Sequence, residues 1–134
     1  MGIEEFLSSA GASKQFVTVI KFEESVEKQT QAVPEILERL KHLEDIPSES
    51  LRLEFFFYTN AAVKAKEFSS CLKKRGYSVE YGKSAGTSNL FLITGWTNKI
   101  SMTEENVIAW SKEMCELGYE YDCDFDGWGT TPDQ

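Results

Sequence analysis

Leu51-Arg52-Leu53-Glu54-Phe55-Phe56-Phe57-Tyr58-Thr59-Asn60 is the stretch from which the fold is read. Leu53, Phe55 and Phe57 fall on alternate positions, the spacing that turns one face of a strand into a core. Asn60 then stands where a helix N-cap belongs, and Ala61, Ala65, Phe68 and Leu72 make an apolar stripe at helical spacing. Lys73, Lys74 and Arg75 suit the negative end of that helix, and Gly76 supplies a left-handed residue to stop it. Tyr77, Val79 and Tyr81 alternate with Ser78 and Glu80 as the next strand. The turn-prone run from Gly82 to Ser88 predicts a hairpin with a strand over Leu90 to Thr97. A second helix opens at Thr103, carries Glu104 and Glu105 in its positive first turn, and turns Val107, Trp110, Met114 and Leu117 inward before Gly118 ends it. A last strand is read where Tyr119, Tyr121, Cys123 and Phe125 alternate with Glu120, Asp122, Asp124 and Asp126.

The order from Leu51 is β-α-β-β-α-β, and its halves close alike, on Gly76-Tyr77-Ser78-Val79 and Gly118-Tyr119-Glu120-Tyr121. The pattern predicts an α+β, ferredoxin-like sandwich over residues 51–134, with two helices on one face of an antiparallel sheet. Residues 1–50 read as an N-terminal extension packed on the same domain. Within it, β-branched and aromatic residues predict a strand over about 16–22, from Phe16 to Phe22, available as an added edge strand. Val33, Ile36, Leu37, Leu40 and Leu43 predict a helix over about 34–44 that ends near Ile46-Pro47, with Pro34 in its first turn.

With 134 residues the chain fits one domain, and 41% hydrophobic and 13% aromatic residues supply a core and argue against disorder. Its formal charge of −8 repels phosphate backbones and anionic lipid, which disfavours direct nucleic-acid and membrane-surface binding, and attracts basic proteins instead. No leader or membrane-spanning run is read, so a cytoplasmic protein is expected. Cys71, Cys115 and Cys123 are odd in number and lack Cys-x-x-Cys spacing, which suits free thiols and disfavours zinc. His42 is the single histidine, so one chain builds neither a two-histidine metal site nor a triad with a second histidine. On the polar side of its helix it reads as a solvated residue. Gly82, Gly86 and Gly95 lack the spacing of a dinucleotide or phosphate loop. No catalytic residue and no cofactor are therefore assigned, and the oligomeric state is left open.

Two readings meet at the C-terminal end. Asp122-Cys123-Asp124-Phe125-Asp126-Gly127 reproduces the opening of a calcium loop whose twelfth position is Asp133. Against it, Gly129 stands at the eighth position, the twelfth is Asp rather than a bidentate Glu, and the Tyr/Cys/Phe alternation demands a strand. The alternative is an acidic docking strip of Glu120, Asp122, Asp124, Asp126, Gly127, Trp128 and Gly129, with Trp128 as its large anchor. From Glu113 onward there are seven acidic residues and no Lys or Arg, so even a merely solvated strand leaves an unbalanced negative surface. Lys64, Lys66, Lys73, Lys74 and Arg75 read as solvated helix surface.

Phe125-Asp126-Gly127-Trp128-Gly129-Thr130 resembles the Tyr-Asp-Gly-Trp-Gly-Thr signature of the RraB family, regulators of ribonuclease E activity. The element order over about Leu51 to Thr130 is similar to that family as well. The resemblance implies a ferredoxin-like, non-catalytic protein that binds the C-terminal scaffold region of ribonuclease E and restrains or redirects RNA decay. Asp126, Gly127, Trp128, Gly129 and Thr130 match the signature directly, and Phe125 stands in for Tyr. Only Thr131 to Gln134 follow the motif, where the best-known members carry a long acidic tail, and the strand read at Phe16 to Phe22 is an addition. The two glycines also suit a turn that folds the Trp128 ring against the sheet, so core and interface roles both stand for it.

Overall fold

The computed structural model describes residues 14–42, 50–86 and 89–130. Their elements are α1 (Val19–Lys41), β1 (Ser50–Thr59), α2 (Ala62–Lys74), β2 (Ser78–Lys83), β3 (Phe91–Ser101), α3 (Glu104–Glu120) and β4 (Asp124–Gly129). This is an α+β arrangement of a four-stranded antiparallel sheet and three helices, with strand order β2-β3-β1-β4. β1 lies inside the sheet and carries most of its core: four of its five inward side chains, Leu51, Leu53, Phe55 and Phe57, are apolar and buried, and the fifth is the buried Thr59. Each such apolar side chain contributes about 1.5–3 kcal/mol by leaving water. Onto that face α2 packs Ala65, Phe68 and Leu72, and α3 packs Trp110, Met114 and Cys115. The Phe57 ring meets Phe68 edge-on at 4.6 Å. The opposite face of β1 carries Arg52, Glu54, Phe56 and Tyr58, all partly exposed.

The chain upstream of β1 corrects the expected strand-helix extension. No strand forms over 16–22, and no edge strand is added to the sheet; Val19 to Lys41 is one helix. The Thr18 hydroxyl caps it by accepting Lys21 N–H at 3.1 Å. Its inner stripe is Phe22, Val26, Gln29, Val33 and Leu37, whereas Val19 and Ile20 are exposed. The β-branched run is thus overridden by burial at a period of three and four. Pro34 lies inside the helix rather than in its first turn and removes one donor to the preceding turn. Burial of Val33 and Leu37 against Val107 of α3 holds the helix through that gap. The described helix ends at Lys41, and the predicted end at Ile46-Pro47 lies outside the described residues.

Two helix boundaries also differ. Asn60 does not cap α2: Ala61 is its N-cap, and the Asn60 side chain bonds Lys64 Nζ and the Lys14 carbonyl instead. Gly118 does not end α3, which runs on to Glu120. A Cβ at Gly118 would lie 2.6 Å from the Cys123 carbonyl oxygen and 2.8 Å from the Phe57 ring, so glycine there serves close packing. The left-handed residue that turns the chain out of α3 is Asp122, at φ 61°.

Candidate protein-binding site

Because α3 extends to Glu120, the acidic strip is split between a helix end, a turn and a strand. Glu120 is exposed on the last turn of α3, and Tyr121 caps that helix. The left-handed turn at Asp122 aims its carboxylate across the molecule. There it accepts Phe16 N–H at 2.7 Å and Val17 N–H at 2.8 Å, and pairs with Lys64 Nζ of α2. Its main-chain oxygen accepts the buried Thr59 hydroxyl at 2.8 Å. Asp122 therefore joins the lead-in of α1, the end of β1 and the start of α2. Such charge-assisted bonds are about twice as strong as neutral ones. Lys64, read as solvated surface, is largely buried in this cluster.

Asp124 faces α1, where its Oδ1 accepts the Ser25 hydroxyl at 3.2 Å and Lys21 Nζ stands 3.6 Å from Oδ2. Asp126 is exposed at a bulge, and its carbonyl accepts Gln29 Nε2 at 3.3 Å. Gln29 is buried, so α1 covers this outer strand rather than leaving its edge open. The carboxylates of Asp122 and Asp124 are thus used within the chain, and those of Glu120 and Asp126 face outward. The run is a half-turn and a strand, not a loop wrapped around an ion. No group of three or more His, Cys, Asp or Glu side chains that could hold a metal gathers among the described residues, and Asp133 lies outside them.

The signature alternates across β4. Trp128 pairs with Phe55 and points inward, where its ring meets Trp110 edge-on at 6.1 Å and touches both core clusters. Its Nε1 is buried with no partner among the described residues. Gly127, at φ 148°, and Gly129 flank it on the other face, opposite Phe56 and Glu54. The Thr130 hydroxyl closes the strand by donating to the Arg52 carbonyl at 2.7 Å. Elsewhere, His42 is exposed at the end of α1, with Nε2 3.3 Å from Glu38 of the preceding turn. Cys115 and Cys123 are buried, and burial pushes both thiols up to about 12, which keeps them protonated and unreactive.

The family model described as Regulator of ribonuclease activity B, RraB, matches residues 14–130. The chain belongs to the RraB family. No curated protein matches it. The match includes α1, so the helix misread in sequence as a strand and a shorter helix falls within the RraB region. Membership points to regulation of ribonuclease activity, in a regulatory rather than a catalytic family. Among the described residues no helix is long and apolar enough to cross a membrane.

Several residues of the site escaped the sequence reading. Ser25, Gln29 and Lys64 are polar residues on helices, and nothing local distinguishes them from solvated neighbours. Phe56 and Tyr58 did leave a signal, since β1 is aromatic at outward positions as well as inward ones, which a strand with one solvated face does not require.

Proposed function

We propose that this RraB-family protein is a non-catalytic, cytoplasmic regulator that binds the C-terminal scaffold region of ribonuclease E and restrains RNA decay. The observation that carries the reading is the family match across residues 14–130. The fold is read as ferredoxin-like, which the element order β-α-β-β-α-β and the strand order β2-β3-β1-β4 support. In this reading residues 51–134 form the ferredoxin-like unit and residues 1–50 are an extension packed on it. The docking strip comprises Glu120, Asp122, Asp124, Asp126, Gly127, Trp128 and Gly129. Glu120 and Asp126 present charge to the partner, and the others shape the strip that carries it. A formal charge of −8 favours a basic partner and would speed the encounter more than it tightens the complex.

Calorimetric titration with the scaffold region of the same organism's ribonuclease E tests this. Saturable binding that weakens at higher salt is the expected result. No heat in either buffer would remove ribonuclease E as the partner and direct the search to other basic proteins.

A further inference from the structure

The sheet has a second face, and the strand registers define it in rows. Directly opposed residues of antiparallel strands share a face. One row places Trp96 between Ser78 and Glu54, with Gly129 beyond Glu54. In the next, Phe56 lies between Thr94 and Gly127, with Glu80 beyond Thr94. Tyr58 follows in the third row, opposite Leu92. None of these aromatic rings belongs to the clusters on which the helices pack. Among the described residues, Glu54 and Glu80 have no ion-pair partner. The cations Arg52 and Lys99 stand together at one end, beyond the bulge between Arg52 and Glu54.

Gly129 marks this face as more than a by-product of folding. A Cβ built there meets nothing within 4 Å, and its backbone is not left-handed, so neither packing nor conformation calls for glycine. What glycine does at that place is leave Glu54 uncovered from the β4 side. Gly127 does the same beside Phe56, although its φ of 148° gives it a conformational reason as well.

Aromatic faces bordered by carboxylates suit one side chain above others. A guanidinium stacks flat on a ring and donates in a planar fork to carboxylate, which an ammonium cannot reproduce. We propose that this second face of the sheet, on which no helix among the described residues packs, is a docking surface for an extended, arginine-bearing segment of a protein partner. One arginine stacks on Trp96 and pairs with Glu54, and a neighbouring one lies over Phe56 towards Glu80. The proposal rests on the protein-binding reading above and extends its strip, through Gly127 and Gly129, onto the adjoining face of the sheet.

The test is fluorescence anisotropy with a labelled peptide that alternates Arg and Ser, its Lys-Ser counterpart, and a single-stranded RNA oligonucleotide. The Arg peptide is expected to bind, with the Lys peptide at least threefold weaker. Trp96→Ala and Glu54→Gln should each weaken the Arg peptide about three- to fivefold. Gly129→Val should also weaken it while leaving the melting temperature within a few degrees of wild type. Glu54→Gln, which keeps the shape of the side chain, guards against loss through misfolding. Equal binding of the Arg and Lys peptides, unaffected by these variants, would overturn the proposal, and so would tighter binding of RNA. If the ribonuclease scaffold binds and the three variants leave it unchanged, the regulator reading stands and this face is not its surface. If the Arg peptide binds here and the scaffold does not, the face stands and the partner is another protein.

Discussion

Replacing Gly118 by alanine should reverse the usual sign of that change in a helix. In a solvated helix interior the substitution adds about 1 kcal/mol of stability. Gly118 is buried in α3, where the added carbon would lie 2.6 Å from the Cys123 carbonyl oxygen and 2.8 Å from Phe57 Cε2. Neither neighbour yields readily. Cys123 is tied to the same turn by its N–H, which donates to the Gly118 carbonyl at 2.7 Å. The Phe57 ring is fully buried between Phe68, at 4.6 Å, and Phe125, at 4.9 Å. Overpacking by one carbon costs roughly 1–3 kcal/mol, and a backbone atom among the obstacles puts this site in the upper part of that range. Against the helix-propensity gain, the net loss is about 1–2 kcal/mol. For a chain of this size each kcal/mol moves the melting temperature roughly 3–4 °C, so a fall of about 3–8 °C is expected by calorimetry. Gly82→Ala is the comparison, because nothing lies within 4 Å of its Cβ. A midpoint for Gly118→Ala at or above wild type would refute the close approach of α3 to β1 and β4.

Trp128→Ala should cost about 2–4 kcal/mol in a urea melt, somewhat less than a fully enclosed tryptophan, because the ring joins the two core clusters but is only half-buried. An unchanged midpoint would exclude the packing role. Pro34→Ala, on the exposed side of α1, restores a helix donor and should raise the melting temperature by several degrees; a fall would show that α1 needs the proline. At pH 8, iodoacetamide should alkylate native Cys71, which is half-buried, well before Cys115 and Cys123, whose thiols burial pushes up to about 12. Mass spectrometry showing equal labelling of the three would contradict their burial. These two raised thiols stabilise the fold fully below about 9, and that contribution is lost as pH climbs towards 12.

Where burial follows a local period, the sequence is readable. Leu51 to Thr59 alternate and form the central strand, and Ala65, Phe68 and Leu72 repeat at helical spacing and form α2. Thr103 was identifiable as an N-cap and does accept Asn106 N–H at 3.1 Å. Phe16 to Phe22 misleads because its apolar residues satisfy a strand pattern locally. What decides for a helix is the burial of Phe22 and Val26 against elements more than fifty residues away along the chain. The split of the acidic strip has the same cause. Tyr119 and Tyr121 fit the alternation that begins at Cys123, and only the packing at Gly118 shows that α3 continues past that glycine, through Tyr119 to Glu120, with Tyr121 as its C-cap. A signal was present at Asp122, since Asp tolerates the left-handed conformation better than most residues. Its partners at Phe16 and Val17 carry none, because they contribute backbone groups that every residue has.

The tie between Asp122 and Phe16 bears on how the chain is made. Asp122 leaves the ribosome 106 residues after Phe16, an interval of roughly 5–20 s at ordinary rates of synthesis. Throughout that interval α1 lacks the carboxylate that anchors its lead-in, and for most of it, until α3 is made, it also lacks the surface that covers Val33 and Leu37. α1 is therefore made well before the elements it docks on, and its apolar stripe is a natural place for a chaperone to hold the nascent protein.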